Sequence, residues 1–114
     1  MKNLLIVEDE TIIATEYKLM IERNGHHVVK IVNNGNDAIE VASESKPDFI
    51  LMDINIKGKM NGIEAAKKIY NNRIDSKIIF ITAYDASNFE FPEFNYFFLS
   101  KPLMPGNLLN ILNN

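Results

Sequence analysis

The chain has 114 residues, 46% of them hydrophobic and 24% charged, a composition typical of one globular domain spanning 1–114. Its 12 Lys and Arg against 15 Asp and Glu give a net charge of -3, which disfavours direct binding to nucleic acid. Cysteine is absent, which excludes disulfides, thiolate metal sites and cysteine nucleophiles and favours a cytoplasmic location.

Five short apolar runs, rich in β-branched and aromatic residues, are typical of strands covered on both faces of a sheet. In chain order they are residues 4–7, 28–32, 49–52, 78–81 and 96–99. The first run is too short for a signal peptide or a membrane span, so membrane insertion is disfavoured.

Between these runs, apolar residues recur with helical spacing, as in the first gap with Ile13, Tyr17 and Ile21. Asn24-Gly25 is suited to end the first helix, and Pro47 separates the second helix from the third strand. The fourth segment is confined to 85–92 and is expected to form one or two helical turns or an irregular connection, and the fifth helix, at 104–112, is also short. The alternation predicts an α/β fold: a doubly wound five-stranded parallel sheet with helices on both faces and the flavodoxin-like strand order 2-1-3-4-5.

Polar side chains follow four of the predicted strands, and such sheets bind ligands at the carboxyl ends of their strands. The residues are Glu8, Asp9, Asp53, Thr82 and Lys101. Three neighbouring acids need a cation, and oxygen ligands favour Mg²⁺, while the lysine and the hydroxyl are suited to phosphoryl oxygens. Any one acid is better explained as a helix cap, but the joint placement predicts a phosphoryl-transfer site with a carboxylate nucleophile.

At this point the sequence resembles the receiver domain of two-component response regulators, including chemotaxis receivers, over essentially its whole length. The matching motifs are the acidic pair Glu8-Asp9, the aspartate Asp53, the pair Thr82-Ala83 and the pair Lys101-Pro102. The resemblance implies a signalling domain that catalyses only its own phosphorylation and dephosphorylation. It implies that Asp53 takes a phosphoryl group from a histidine kinase or a phosphotransfer domain and that the domain then switches conformation.

The resemblance also implies roles for individual residues. Mg²⁺ is expected on the side chains of Asp9 and Asp53, on the backbone carbonyl of Asn55 and, through water, on Glu8. Lys101 is expected to contact the phosphoryl group and to precede Pro102 through a cis peptide bond.

Two further roles concern switching and the lifetime of the phosphoryl group. Thr82 and the aromatic residue Phe98 are expected to form the switch pair. Asn55 and Tyr84 are expected to control the access of water to the phosphoryl group, and the bulky Tyr84 predicts slow self-hydrolysis.

The sequence departs from the family pattern in two places. The loop 55–62 lacks the usual proline and is one residue longer than the commonest form, and the stretch 82–101 is a few residues short. We therefore expect a remodelled output face, which leaves the downstream partner and weak homodimerisation open.

Other interpretations were weighed against the receiver. A hydrolytic phosphotransferase needs a second acid where Asn55 stands, and a flavodoxin-type flavin site needs a phosphate-binding loop where Glu8-Asp9-Glu10 repels phosphate. A degenerate receiver used only for protein contacts stays an open alternative, although all expected site residues are present. His26 and His27 are interpreted as surface histidines.

Overall fold

The computed structural model describes residues 1–83 and 89–114. Its strands are β1 (Asn3–Val7), β2 (His27–Val32), β3 (Phe49–Asp53), β4 (Lys77–Thr82) and β5 (Phe97–Ser100). Its helices are α1 (Thr11–Arg23), α2 (Gly35–Ser45), α3 (Gly62–Asn71) and α4 (Pro105–Leu112). Within the described ranges, no helix has the length and apolarity needed to cross a membrane.

The strands form one parallel sheet in the order β2-β1-β3-β4-β5. Both the parallel sheet and its strand order are therefore confirmed. Because all five strands run in the same direction, their carboxyl ends lie at one edge of the sheet.

Apolar side chains form two cores, one on each face of the sheet. Successive residues of a strand point to opposite faces, so Leu5 and Val7 of β1 pack with α2 and α3, whereas Leu4 and Ile6 pack with α1 and α4. Helices thus cover both faces, as the alternating pattern predicted.

Local chemistry explains where the helices begin and end. The side chain of Asn61 accepts a hydrogen bond from the backbone of Glu64, and the Glu64 side chain accepts one from the backbone of Asn61, at 2.9 Å each. This capping box starts α3 directly after the loop that follows β3. Gly25 has a φ of 87° just after α1, as expected for the glycine that ends this helix.

Residues 89–96 form no helix, which is the irregular alternative expected for the fourth segment, and 85–88 lie outside the described residues. One expectation about the β4–β5 region is wrong. Strand β5 is not covered on both faces, because it is an edge strand and Phe97 and Phe98 are 39% and 38% exposed. Among the described residues, the Phe91 ring instead packs against the core through Phe80, at 5.6 Å between ring centroids.

The interpretation of both histidines as surface residues is wrong for His26, which is buried, whereas the His27 side chain is exposed. The backbone N–H of Lys2 donates to Nδ1 of His26 at 2.9 Å, so the neutral ring carries its proton on Nε2 and donates it to Oδ1 of Asn113, also at 2.9 Å. His26 thus links the start of β1 to the residue that follows α4.

Replacement of His26 is expected to destabilise the fold. His26→Ala removes both hydrogen bonds and leaves the Lys2 N–H without its acceptor, so we expect a loss of about 1–3 kcal/mol in the free energy of unfolding, measured by urea denaturation. His27→Ala is the matched control and should change it by no more than about 0.5 kcal/mol, as is usual at the surface. Equal effects of the two substitutions would show that His26 makes no special link.

Candidate functional site

The side chains predicted from the strand ends lie at the carboxyl edge of the sheet. Glu8 follows β1, Asp53 ends β3, Thr82 ends β4 and Lys101 follows β5. The side chains of Glu8, Asp53 and Thr82 are almost fully buried, at 2%, 4% and 2% exposure of each residue. The edge therefore forms an interior polar cluster.

Lys101 joins two strands of this cluster. Its Nζ donates to Oε1 of Glu8 at 2.8 Å and to Oδ2 of Asp53 at 3.3 Å. Burial acts to lower the pKa of Lys101, but the hydrogen bond to Glu8 and the charges of Asp53 and Glu8 outweigh it, so that its pKa is raised above the ordinary value. Lys101 thus remains charged at every physiological pH.

Asn55 connects the end of β3 to the end of β4. Its backbone N–H donates to Oδ1 of Asp53 at 3.1 Å, and its Nδ2 donates to Oγ1 of Thr82 at 3.0 Å. Both carboxylate oxygens of Asp53 therefore accept a hydrogen bond, one from Asn55 and one from Lys101. The Asp53 carboxylate is held in a single orientation.

A second group of acids lies beside this cluster. Among the described residues, one carboxylate oxygen each from Glu8, Asp9 and Glu10 lie within 4.8 Å of one another. The backbone N–H of Glu10 donates to Oε2 of Glu8 at 3.1 Å. This bond holds the backbone of Glu10 close to the Glu8 carboxylate. Glu10 is a member that the sequence analysis missed; its position next to the acidic pair was the available signal.

Gly62 is a further residue whose place near the site was missed. Its backbone N–H donates to the carbonyl of Ile54 at 2.8 Å, and a Cβ at this position would overlap the backbone of Asp53 and Ile54. The start of α3 therefore packs directly against the segment that carries Asp53.

The remaining predicted residues divide into three cases. The peptide bond between Lys101 and Pro102 is cis. The Phe98 ring is half-exposed and contacts the Phe91 ring edge-to-face, at 5.7 Å between centroids. Tyr84, expected to limit water access, lies outside the described residues.

Comparison with known proteins agrees with this geometry. A model of the response regulator receiver domain matches residues 4–113. The phyllosphere-induced regulator PhyR of Methylorubrum extorquens is 34% identical over 113 residues, which cover 96% of this chain and 42% of PhyR. Chemotaxis protein CheY of Thermotoga maritima is 32% identical over 115 residues, covering 98% of this chain and 95% of CheY.

A solved structure is similar over the same range. The signal receiver domain of a modulated diguanylate cyclase from Desulfovibrio desulfuricans G20 has a TM-score of 0.86 at 26% identity, covering 99% of this chain and 91% of that chain. The chain thus covers 95% of CheY but spans only about two-fifths of PhyR.

The contact between Gly62 and the Asp53 segment is testable by substitution. Gly62→Ala forces the new Cβ against backbone atoms, so we expect a loss of about 1–3 kcal/mol in the free energy of unfolding, measured by urea denaturation. Gly106→Ala is the matched control, because nothing lies within 4 Å of its Cβ position and alanine favours a helix by about 0.5–1 kcal/mol over glycine. A stabilised Gly62→Ala protein would contradict the close approach.

Proposed function

The chain belongs to the response regulator receiver domain family, and we propose that it is a phosphoacceptor that takes a phosphoryl group onto Asp53 from a histidine kinase or a phosphotransfer domain. The observation that carries the proposal is the Lys101 ammonium, which contacts both Glu8 and Asp53 at the carboxyl edge of the sheet. A buried carboxylate beside a fixed cation is arranged for nucleophilic attack on phosphorus. A chain without cysteine supports a cytoplasmic location.

The transfer step follows from the orientation of Asp53. One of its oxygens forms a bond to phosphorus while the bond from phosphorus to the imidazole nitrogen of the donor breaks, and the electron pair of that bond stays on the nitrogen. Lys101 remains protonated and lies within reach of the developing negative charge. The Asn55 N–H keeps the carboxylate from rotating during the attack.

The donor set is suited to Mg²⁺. Four acids, Glu8, Asp9, Glu10 and Asp53, lie near one edge, and Lys101 is the cation that the described residues pair with them, so negative charge is in excess. We propose Asp9, Asp53, the Asn55 carbonyl and, through water, Glu8 as ligands, all of them oxygen donors. Bound Mg²⁺ would neutralise charge on the oxygens of the transferring phosphoryl group.

Asn55 also argues against a hydrolytic phosphotransferase. Such an enzyme needs a general acid near the nucleophile, and the side chain two positions after Asp53 is the Asn55 amide, whose Nδ2–H donates a hydrogen bond to Oγ1 of Thr82. This amide cannot donate a proton to a leaving group. A receiver needs no such acid, since its role is to hold the phosphoryl group.

The geometry also supports a switch between Thr82 and Phe98. The Thr82 hydroxyl accepts a hydrogen bond from Asn55, and the geometry of this bond would change as the Thr82 side chain rotates to donate to a phosphoryl oxygen on Asp53. Phe98 is half-exposed and would move inward as Thr82 turns. We propose that the change in the hydrogen bond between Asn55 and Thr82, together with the burial of the Phe98 ring, is the conformational signal.

Asp53 is expected to be the phosphorylated residue. Asp53→Asn should abolish the addition of one phosphoryl group from acetyl phosphate with Mg²⁺, followed by intact-protein mass spectrometry, because an amide is not a nucleophile for this step. Asp75→Asn, an exposed aspartate before β4, is the control and should be labelled like the parent protein. Undiminished labelling of Asp53→Asn would place the phosphoacceptor elsewhere.

Asp9 is expected to be required for Mg²⁺ binding. Asp9→Asn removes a charged ligand, so we expect the Mg²⁺ affinity of the unphosphorylated protein to fall by about tenfold or more in an NMR titration. Asp37→Asn is the control, since Asp37 lines the same cavity as Glu8 and Asp9 but belongs to the first turn of α2. Equal Mg²⁺ affinities of Asp9→Asn and the parent protein would refute the proposed ligand set.

A further inference from the structure

Tyr17 lies beside the phosphoacceptor site, although none of the site motifs contains it. It belongs to α1, is 8% exposed, and packs in the core formed with α4 on one face of the sheet. Burial has the largest effect on the pKa of its phenol, and the charges of Lys101, Glu8 and Asp53 also act on that pKa. The phenol of a core residue therefore lies near the charged groups that carry the proposed reaction.

Tyr17 and Lys101 also line the same cavity, which has a volume of about 380 Å³. Among the residues that the structure describes, the other lining residues are mostly apolar, namely Ile13, Ala83, Pro102 and Leu103, and Glu16 is the further charged one. The cavity gives the long Lys101 side chain space to move away from its partners. An ammonium that moved there would lose its hydrogen bonds to Glu8 and Asp53.

The size of this space matters because a lysine side chain has many rotamers. Holding Lys101 in one geometry costs conformational entropy, and this cost grows with the number of alternative positions open to the side chain. The Tyr17 ring occupies volume in the cavity wall. It therefore removes alternative positions and favours the one in which Nζ contacts both carboxylates.

The hydroxyl of Tyr17 adds no charge at this place. Burial raises the pKa of Tyr17 to about 12; Lys101 opposes the increase, and Glu8 and Asp53 add to it. The phenol is therefore neutral at physiological pH. A neutral group does not compete with Glu8 and Asp53 for the ammonium, as another acid in this wall would.

We propose that Tyr17 is a positioning residue for Lys101: its ring narrows the cavity beside the lysine and so keeps the ammonium between Glu8 and Asp53. This inference rests on the proposed function, in which Lys101 assists phosphoryl transfer to Asp53. Because the ring performs this role, we expect phenylalanine at position 17 to keep Lys101 in place. We expect a smaller, non-aromatic side chain to release it.

The test compares Tyr17→Phe, Tyr17→Leu and the milder truncation Tyr17→Met in the parent protein and in Lys101→Gln. We expect Tyr17→Leu and Tyr17→Met to slow labelling by acetyl phosphate by about five- to tenfold, since small displacements of a reacting group have effects of this order or larger. Tyr17→Phe should stay within about twofold. The Lys101→Gln protein is itself expected to be labelled slowly. In that protein the Tyr17 substitutions should not slow labelling further, because the ammonium that Tyr17 positions is absent.

Ile21→Ala is the matched control for damage to the core. Ile21 is fully buried on the same helix and in the same core cluster, one turn beyond Tyr17. Ile21→Ala should lower the free energy of unfolding without slowing labelling. If Ile21→Ala slows labelling as much as Tyr17→Leu, or if Tyr17→Leu slows it equally in Lys101→Gln, Tyr17 is only a structural residue and the inference is overturned.

A second measurement separates this inference from the proposed function. Exchange of the Lys101 Nζ protons with water, followed by ¹⁵N NMR without a phosphodonor, should be slow in the parent and Tyr17→Phe proteins and faster in Tyr17→Leu and Tyr17→Met. Equal exchange in all four proteins would overturn the inference. Absence of labelling in the parent protein would instead overturn the proposed function and leave the exchange result valid.

Discussion

The contact of one ammonium with two buried carboxylates is the constraint on which the site depends. Glu8 and Asp53 extend from the adjacent strands β1 and β3, and neither has enough exposed surface for water to screen its charge. Removal of one partner from such a buried pair typically costs about 3–5 kcal/mol, because the remaining charge loses its compensation. Lys101 therefore connects the end of β5 to the centre of the sheet, and charge balance there depends on where this side chain lies.

The same arrangement would make the site respond to the phosphoryl group of the proposed reaction. Lys101 compensates only part of the charge of the surrounding acids, so the site carries an excess of negative charge. An added phosphoryl group brings further negative charge and new acceptors for Lys101 and Thr82. In the proposed reaction both side chains change partners, Lys101 from the Asp53 carboxylate and Thr82 from the Asn55 amide. The structural response thus starts from hydrogen bonds that already exist in the unmodified protein.

Much of the fold could be predicted from the sequence, because strand and helix periods are local properties of the chain. Strand ends then placed Glu8, Asp53 and Lys101 at one edge, since parallel strands share a direction. The predicted strand order already placed β5 at an edge of the sheet, but the continuous apolar run 96–99 shows no polar alternation, so the exposure of β5 was missed. His26 is buried because it bonds to Asn113, which is distant in the sequence. Gly62 approaches the backbone of Asp53, which belongs to a different element. No local sequence pattern contains either contact.

The segment before β5 shows how a short connection can still transmit a change. Residues 89–92 form no helix, and Phe91 stacks on Tyr96 instead. The Phe91 ring also contacts Phe80 in β4 and Phe98 in β5, and its centroid lies 5.3–5.7 Å from those of the three other rings. Phe80 is fully buried and lies two residues before Thr82, so one side of this aromatic cluster is fixed by the core. Phe98 and Tyr96 are its more exposed members, at 38% and 37%. In the proposed switch, an inward movement of Phe98 would change its ring contact with Phe91, and this contact would carry the change to 89–96.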